Sequence, residues 1–103
     1  MKSRYRTRAK LWRYPGDKVS WHFITLPKKV ADEIRVVDAG PVRRGFGSLR
    51  VQATIGGSTW TTSIFPVAMH QSYVLPVKAQ VRKAEGLKVG AMVSLQLEVN
   101  RAW

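Results

Sequence analysis

From Lys2 to Trp12 the chain alternates strictly, with Arg4, Arg6, Arg8 and Lys10 on one parity and Tyr5, Thr7, Ala9 and Leu11 on the other. A two-residue period of this kind predicts a strand with one wet and one dry face. Tyr14-Pro15-Gly16-Asp17 then offers a restricted and a permissive residue side by side, which predicts a turn. Val19 to Leu26 reads as a second strand. Gly47 to Ile55 places Leu49, Val51, Ala53 and Ile55 on one side, and Ser58 to Phe65 follows after Gly56-Gly57. Adjacent glycines can take the positive φ values of the primed turns, so these two segments predict a two-residue hairpin. Ala91 to Val99 closes the pattern, with Val93, Leu95, Leu97 and Val99 alternating against Ser94, Gln96 and Glu98. Five or more short strands in so short a chain point to a small barrel or sandwich.

Two helix-compatible stretches interrupt the alternation. "FITLPKKVADEI" (23–34) and "SYVLPVKAQVRK" (72–83) both run from a β-rich segment through Leu-Pro into a Lys-containing run. Proline fits a first helical turn, where its missing N–H would have had no partner. Val30 and Ile34 make an apolar pair one turn apart in the first, and Val77, Val81 and Ala84 a longer stripe in the second, which Gly86 is placed to end. A glycine and then a strand lie beyond each. The repeated order of parts predicts an internal duplication, with pseudo-repeats at about 19–55 and 72–99 closing one barrel around a pseudo-twofold axis. The expected fold is mainly β, a small closed (double-split) β-barrel of two pseudo-repeated halves with two short helices, in one domain over residues 1–103.

The length of 103 residues suits one modest core. A hydrophobic content of 45% argues against disorder. No apolar run approaches the roughly 18 residues of a membrane-spanning helix, so the expectation is a cytoplasmic protein without a membrane partner. The chain has no cysteine, which excludes disulfides, a thiolate nucleophile and thiolate metal sites, and its two histidines are too few for a histidine-rich metal centre. The net charge of +12 changes the picture most. It biases the surface toward polyanions, although charge carried for solubility gives the same total.

The stretches "WHFITLP", "RRGFGSLRVQATIGGSTWTTSIFP" and "YVLPVKAQVRKAEGLKVGAMVSLQLEV" resemble a family of small bacterial and archaeal domains of unknown function. The likeness covers most of residues 5 to 99 and implies a double-split β-barrel, without implying any catalytic residue. Some members precede a segment associated with bacteriocin protection. The chain departs from the family at Lys10, where members often carry an acid, and at "VAMHQS" (67–72), where they often carry a Gly-containing turn. A weaker likeness joins "VRKAEGLKVGAMVSLQLEV" (81–99) to the half-motif of AbrB/MazE-type regulators, carried by Val81, Arg82, Ala84, Gly86, Leu87 and Gly90. Pro76 and Ala91-Met92 depart from that pattern. It implies shared architecture, with both halves in one chain and hence a monomer or weak homodimer, and not shared function.

Candidate chemistry is sparse. His22, between Trp21 and Phe23 in an apolar strand, reads as a hydrogen-bonded structural histidine before it reads as a general base. His70 falls in a loop beside Met69. Asp32 follows Lys28 by four residues and Glu33 follows Lys29 by four, the spacing of helix-surface ion pairs. Asp17 suits its turn. Ser48 in "GFGSLR" lacks the glycine that would follow a nucleophile elbow, and the same stretch lacks the third glycine of a dinucleotide fingerprint. No enzyme and no cofactor are expected. Trp12, Tyr14, Trp21, Phe46, Trp60, Phe65 and Tyr73 serve either as core filling, the favoured reading in a barrel this small, or as stacking platforms for unpaired bases. Phe46, between two glycines and beside Arg43-Arg44, is the favoured exception.

The cations fall into three groups: the comb Arg4, Arg6, Arg8 and Lys10; the loop Arg43 and Arg44 with Phe46 and, beyond it, Arg50; and Lys78, Arg82 and Lys83 on the second helix. They predict a non-enzymatic barrel that binds DNA or RNA through backbone contacts. The alternative is a protein–protein or small-ligand module linked to stress or bacteriocin tolerance, for which an acidic protein is the natural partner.

Overall fold

The alternation along the chain becomes a closed wall. The computed structural model describes residues 2–15, 21–37, 47–67 and 72–100. Its elements are β1 (Lys2–Tyr14), β2 (Trp21–Thr25), α1 (Lys28–Val37), β3 (Leu49–Ile55), β4 (Ser58–Val67), β5 (Ser72–Pro76), α2 (Ala79–Glu85) and β6 (Met92–Asn100). The strands form a barrel in the order β1-β2-β5-β4-β3-β6, with every neighbouring pair antiparallel. Inward positions pair with inward positions around the ring: Leu11 with Ile24, Ile24 with Leu75, Ala53 with Leu97, and Leu97 with Tyr5. Leu11, Ile24, Ile64, Leu75 and Leu97 are all but fully buried, so the interior is a packed apolar plug.

The two-fold relation is visible in the strand order, which is unchanged when β1, β2 and β3 are exchanged for β4, β5 and β6. Each half is therefore strand–strand–helix–strand, one strand larger than the expected units at 19–55 and 72–99. The two Leu-Pro pairs are not equivalent. Leu26 N–H donates to Tyr73 O at 2.9 Å and Val77 N–H donates to His22 O at 2.9 Å, which matches Leu26 with Val77 rather than with Leu75. Pro27 stands directly before α1, where its carbonyl accepts from Ala31 N–H at 3.0 Å. Pro76 instead ends β5 opposite Phe23, and Lys78, in extended conformation, is the residue that opens α2.

Each helix covers the core with a short apolar stripe. Ala31 and Ile34 of α1 and Val81 of α2 are buried, while Ala84 is exposed, so the stripe of α2 is shorter than its sequence implies. Gly86 takes φ 62° and ends α2 in the left-handed conformation, as its position predicts. On α1, Asp32 binds Lys28 at 3.0 Å and Arg35 at 2.7 Å, and hydrogen bonds from Lys28 and then Arg35 hold its carboxyl below the usual range. This pairing favours the fold above the ordinary carboxylate pKa and is lost on acidification. Among the described residues Lys29 and Glu33 form no ion pair.

The β3–β4 hairpin is clasped to α2. Ser58 Oγ donates to Glu85 Oε2 at 2.6 Å and Gly57 N–H donates to Glu85 Oε1 at 3.3 Å. Gly56 has φ 58°, and a Cβ there would collide with the Glu85 carboxylate. Gly56→Ala is therefore expected to destabilise the fold by about 1–3 kcal/mol, from left-handed strain and a displaced Glu85. Urea unfolding checks this, and an unchanged midpoint would contradict it.

Candidate nucleic-acid interface

A strand does not change faces at the end of a charged run. On β1 the outward parity that carries Arg4, Arg6, Arg8 and Lys10 continues through Trp12 to Tyr14, a stripe of about 33 Å at roughly 3.3 Å per residue. Residues Lys2 to Lys10 pair with β6, and Leu11 to Tyr14 pair with β2. The cationic part of the stripe is thus set in one sheet face and the aromatic part in the next.

Around the cations the wall is polar. Arg8 faces Ser94, Arg6 faces Gln96 and Arg4 faces Glu98 across the β1–β6 ladder. The face continues through Gln52 and Thr54 of β3 to Thr59 and Thr61 of β4, and Arg50, opposite Ser63, lies on the same side of β3. Arg4 Nε meets Glu98 Oε2 at 3.3 Å, but the Arg4 side chain stays 73% exposed. Exposed pairs of this kind contribute about 1 kcal/mol or less, so Arg4 keeps its field toward solvent. Arg6 and Arg8, with Thr54, Ser94 and Gln96, line a shallow depression of about 490 Å³. Guanidinium groups beside hydroxyl and amide groups are the donors that phosphate oxygens accept from.

Beyond Lys10 the stripe becomes aromatic. Trp12 and Phe23 meet at 5.1 Å between ring centroids with a 36° tilt, and Trp12 Nε1 donates to Thr25 Oγ1 at 2.9 Å. Tyr14 lies opposite Trp21, and Phe65 lies opposite Val74. Tyr14, Trp21, Phe23 and Phe65, with Val74 and Pro76, line an apolar groove of about 480 Å³. Tyr14 is 54% exposed, Trp21 53% and Phe65 43%.

This overturns core filling as the general role of the aromatics. Of the seven aromatics weighed as core or platform, six are described: Trp60 and Tyr73 are buried, Trp12 is half-buried, and Tyr14, Trp21 and Phe65 are exposed. The reason is parity: the inward positions are already taken by Leu, Ile, Val and Ala, and the rings fall on the other side. Trp12 and Tyr14 share the parity of the arginine comb, a signal present in the sequence.

The remaining cations lie elsewhere. α2 packs against β4, three strands from β1 in either direction around the ring. Lys78 and Lys83 are exposed there, whereas Arg82 turns inward: its Nε donates to Val77 O at 3.2 Å and its Nη1 lies 3.3 Å from His22 Nε2. His22 is buried and hydrogen-bonded, as its apolar strand predicts. Arg43, Arg44 and Phe46 lie outside the described residues, as do Asp17 and His70. Among the described residues, no three His, Asp or Glu side chains gather where they could hold a metal ion. No described helix is long and apolar enough to cross a membrane.

No curated protein matches the sequence. A family model does, over residues 8–97, the span that runs from the comb through both helices to the last strand. The chain belongs to the family described as a domain of unknown function, DUF1905.

Proposed function

We propose that this domain binds nucleic acid, with the phosphate chain along Arg4, Arg6, Arg8 and Lys10 and unpaired bases stacked on the aromatic groove that begins at Tyr14 and Trp21. The observation that carries the reading is the single outward stripe of β1, where a row of cations runs directly into aromatic rings. Proteins that hold single strands combine these two parts: a basic track for the backbone and π-faces for the bases, each stack contributing about 1–3 kcal/mol. The net charge of +12 adds long-range attraction for any polyanion. Backbone and stacking contacts carry little sequence information, so binding is expected to tolerate mixed sequences of DNA or RNA.

Anisotropy of a labelled mixed-sequence 20-mer, single-stranded and duplex, at 50 to 200 mM salt, tests this. Four phosphate contacts on a single strand give a slope near −3 in log affinity against log salt, at roughly −0.7 per contact, and the single strand is expected to bind more tightly than the duplex. Undetectable binding at 50 mM salt, or binding indifferent to salt, would overturn the proposal. The exposed apolar groove also suits a protein partner, and an acidic protein recovered by pulldown after nuclease treatment would favour that reading instead.

A further inference from the structure

The wall of the barrel is thinly paired between β4 and β5. The ladder joins Phe65–Val67 to Ser72–Val74 and goes no farther, although β5 runs on to Pro76, where it pairs with β2. Beyond it Trp60, Thr61 and Thr62 of β4 share one cleft with Trp21 and His22 of β2 and with Lys78, Ala79 and Arg82 at α2. The cleft left there measures about 350 Å³ and is lined by Trp21, His22, Trp60, Thr62, Lys78 and Arg82 among others. That volume falls in the range of small-molecule sites.

Its charge is one-sided. Among the described residues, Lys78 and Arg82 line the cleft and no carboxylate does. Glu85, the acid of α2, is held away by Ser58 and Gly57 at the hairpin. Arg82 is also held in place by hydrogen bonds, although among the described residues it has no acidic partner. The Val77 carbonyl and the His22 imidazole engage two of its N–H groups, and a guanidinium has five. Three remain for an incoming group, on a fork whose orientation is fixed before the ligand arrives. A guanidinium so placed matches the paired oxygens of a phosphate or carboxylate. The exposed indole of Trp21 supplies flat apolar surface in the same cleft, and the buried Trp60 lies against its wall.

We propose that this cleft binds a small organic oxyanion carried on a planar ring, with Arg82 and Lys78 taking the phosphate or carboxylate, Trp21 contacting the ring, and His22 positioning Arg82. The cleft shares Trp21 with the aromatic groove, but its anion-binding groups, Arg82 and Lys78, are not those of the comb, so the two readings are tested by different variants.

Titration of the full chain with inorganic phosphate, adenosine monophosphate and benzoate, followed by tryptophan fluorescence and calorimetry, tests the proposal. The organic anions are expected to bind more tightly than phosphate alone, and the stronger of the two identifies the oxyanion. Arg82→Ala should weaken that binding by at least about tenfold, the loss of a charge-assisted hydrogen bond. Arg82→Lys should restore only part of it, because an ammonium cannot present the fork. Lys83→Ala, outside the cleft, should change nothing. Lys78→Ala, at an exposed rim position, should cost several-fold and serves should Arg82→Ala fold poorly. Binding by none of the three probes, no loss in the Arg82 and Lys78 variants, or an equal loss in Lys83→Ala would overturn the proposal.

Discussion

Changing Arg4, Arg6, Arg8 and Lys10 together to glutamine is expected to abolish most of the salt-dependent affinity for a single strand. The slope of log affinity against log salt should fall from about −3 to near zero, and at 50 mM salt binding should weaken by about two orders of magnitude. The fold should survive the change, since all four side chains are exposed on the outer wall and glutamine stays polar while keeping part of their aliphatic stem. Among the described residues one ion pair is lost, that of Arg4 with Glu98, and an exposed pair contributes little. Lys29→Gln on α1 is the matched control and should leave the slope unchanged. An unaltered slope in the fourfold variant would show that the comb does not touch phosphate. Tyr14→Ala and Trp21→Ala distinguish the second half of the reading, because they should reduce the preference for single strand over duplex without changing the slope.

Leu97→Ala is expected to cost about 3–4 kcal/mol of stability, the range for deleting a buried leucine whose neighbours cannot close the cavity. Leu97 has no exposed surface, and its strand is held on both sides, opposite Tyr5 of β1 and opposite Ala53 of β3. Collapse into the void would require two ladders to shift at once. A domain of this size has a total stability of about 5–15 kcal/mol, so the variant should unfold at markedly lower urea concentration. A loss below about 1 kcal/mol would mean that the wall relaxes more readily than its pairing indicates.

The long alternating strands were legible because one period ran through them without interruption. β3, the hairpin at Gly56-Gly57, β4 and β6 lie where the pattern places them, and β1 continues two residues beyond Trp12. β5 was harder to read as a strand because Ser72 and Tyr73 are both buried, which breaks its alternation. Ser72 is tolerated there because its hydroxyl donates to Leu26 O at 2.5 Å, a contact between segments far apart in the chain. The Leu-Pro repeat pointed to a duplication in the wrong register, since identical letters coincided where the hydrogen bonds do not. The comb is visible in its parity, and Trp12 and Tyr14 share that parity, although large aromatics in a small barrel more often fill the core. Nor could the sequence show Arg82 turning inward, because the residues that hold it, His22 and Val77, meet it only when β2 and the end of β5 come together.

The interleaving of the two halves bears on how the chain matures. β2 has its second partner in β5, and β3 is completed by β6, so neither half owns a finished wall. During synthesis the amino-terminal half must wait, with its apolar residues uncovered, until the last strand has left the ribosome. Pairings between such distant segments also make for slow closure. The interval before closure is the time in which its uncovered apolar strands are most open to aggregation.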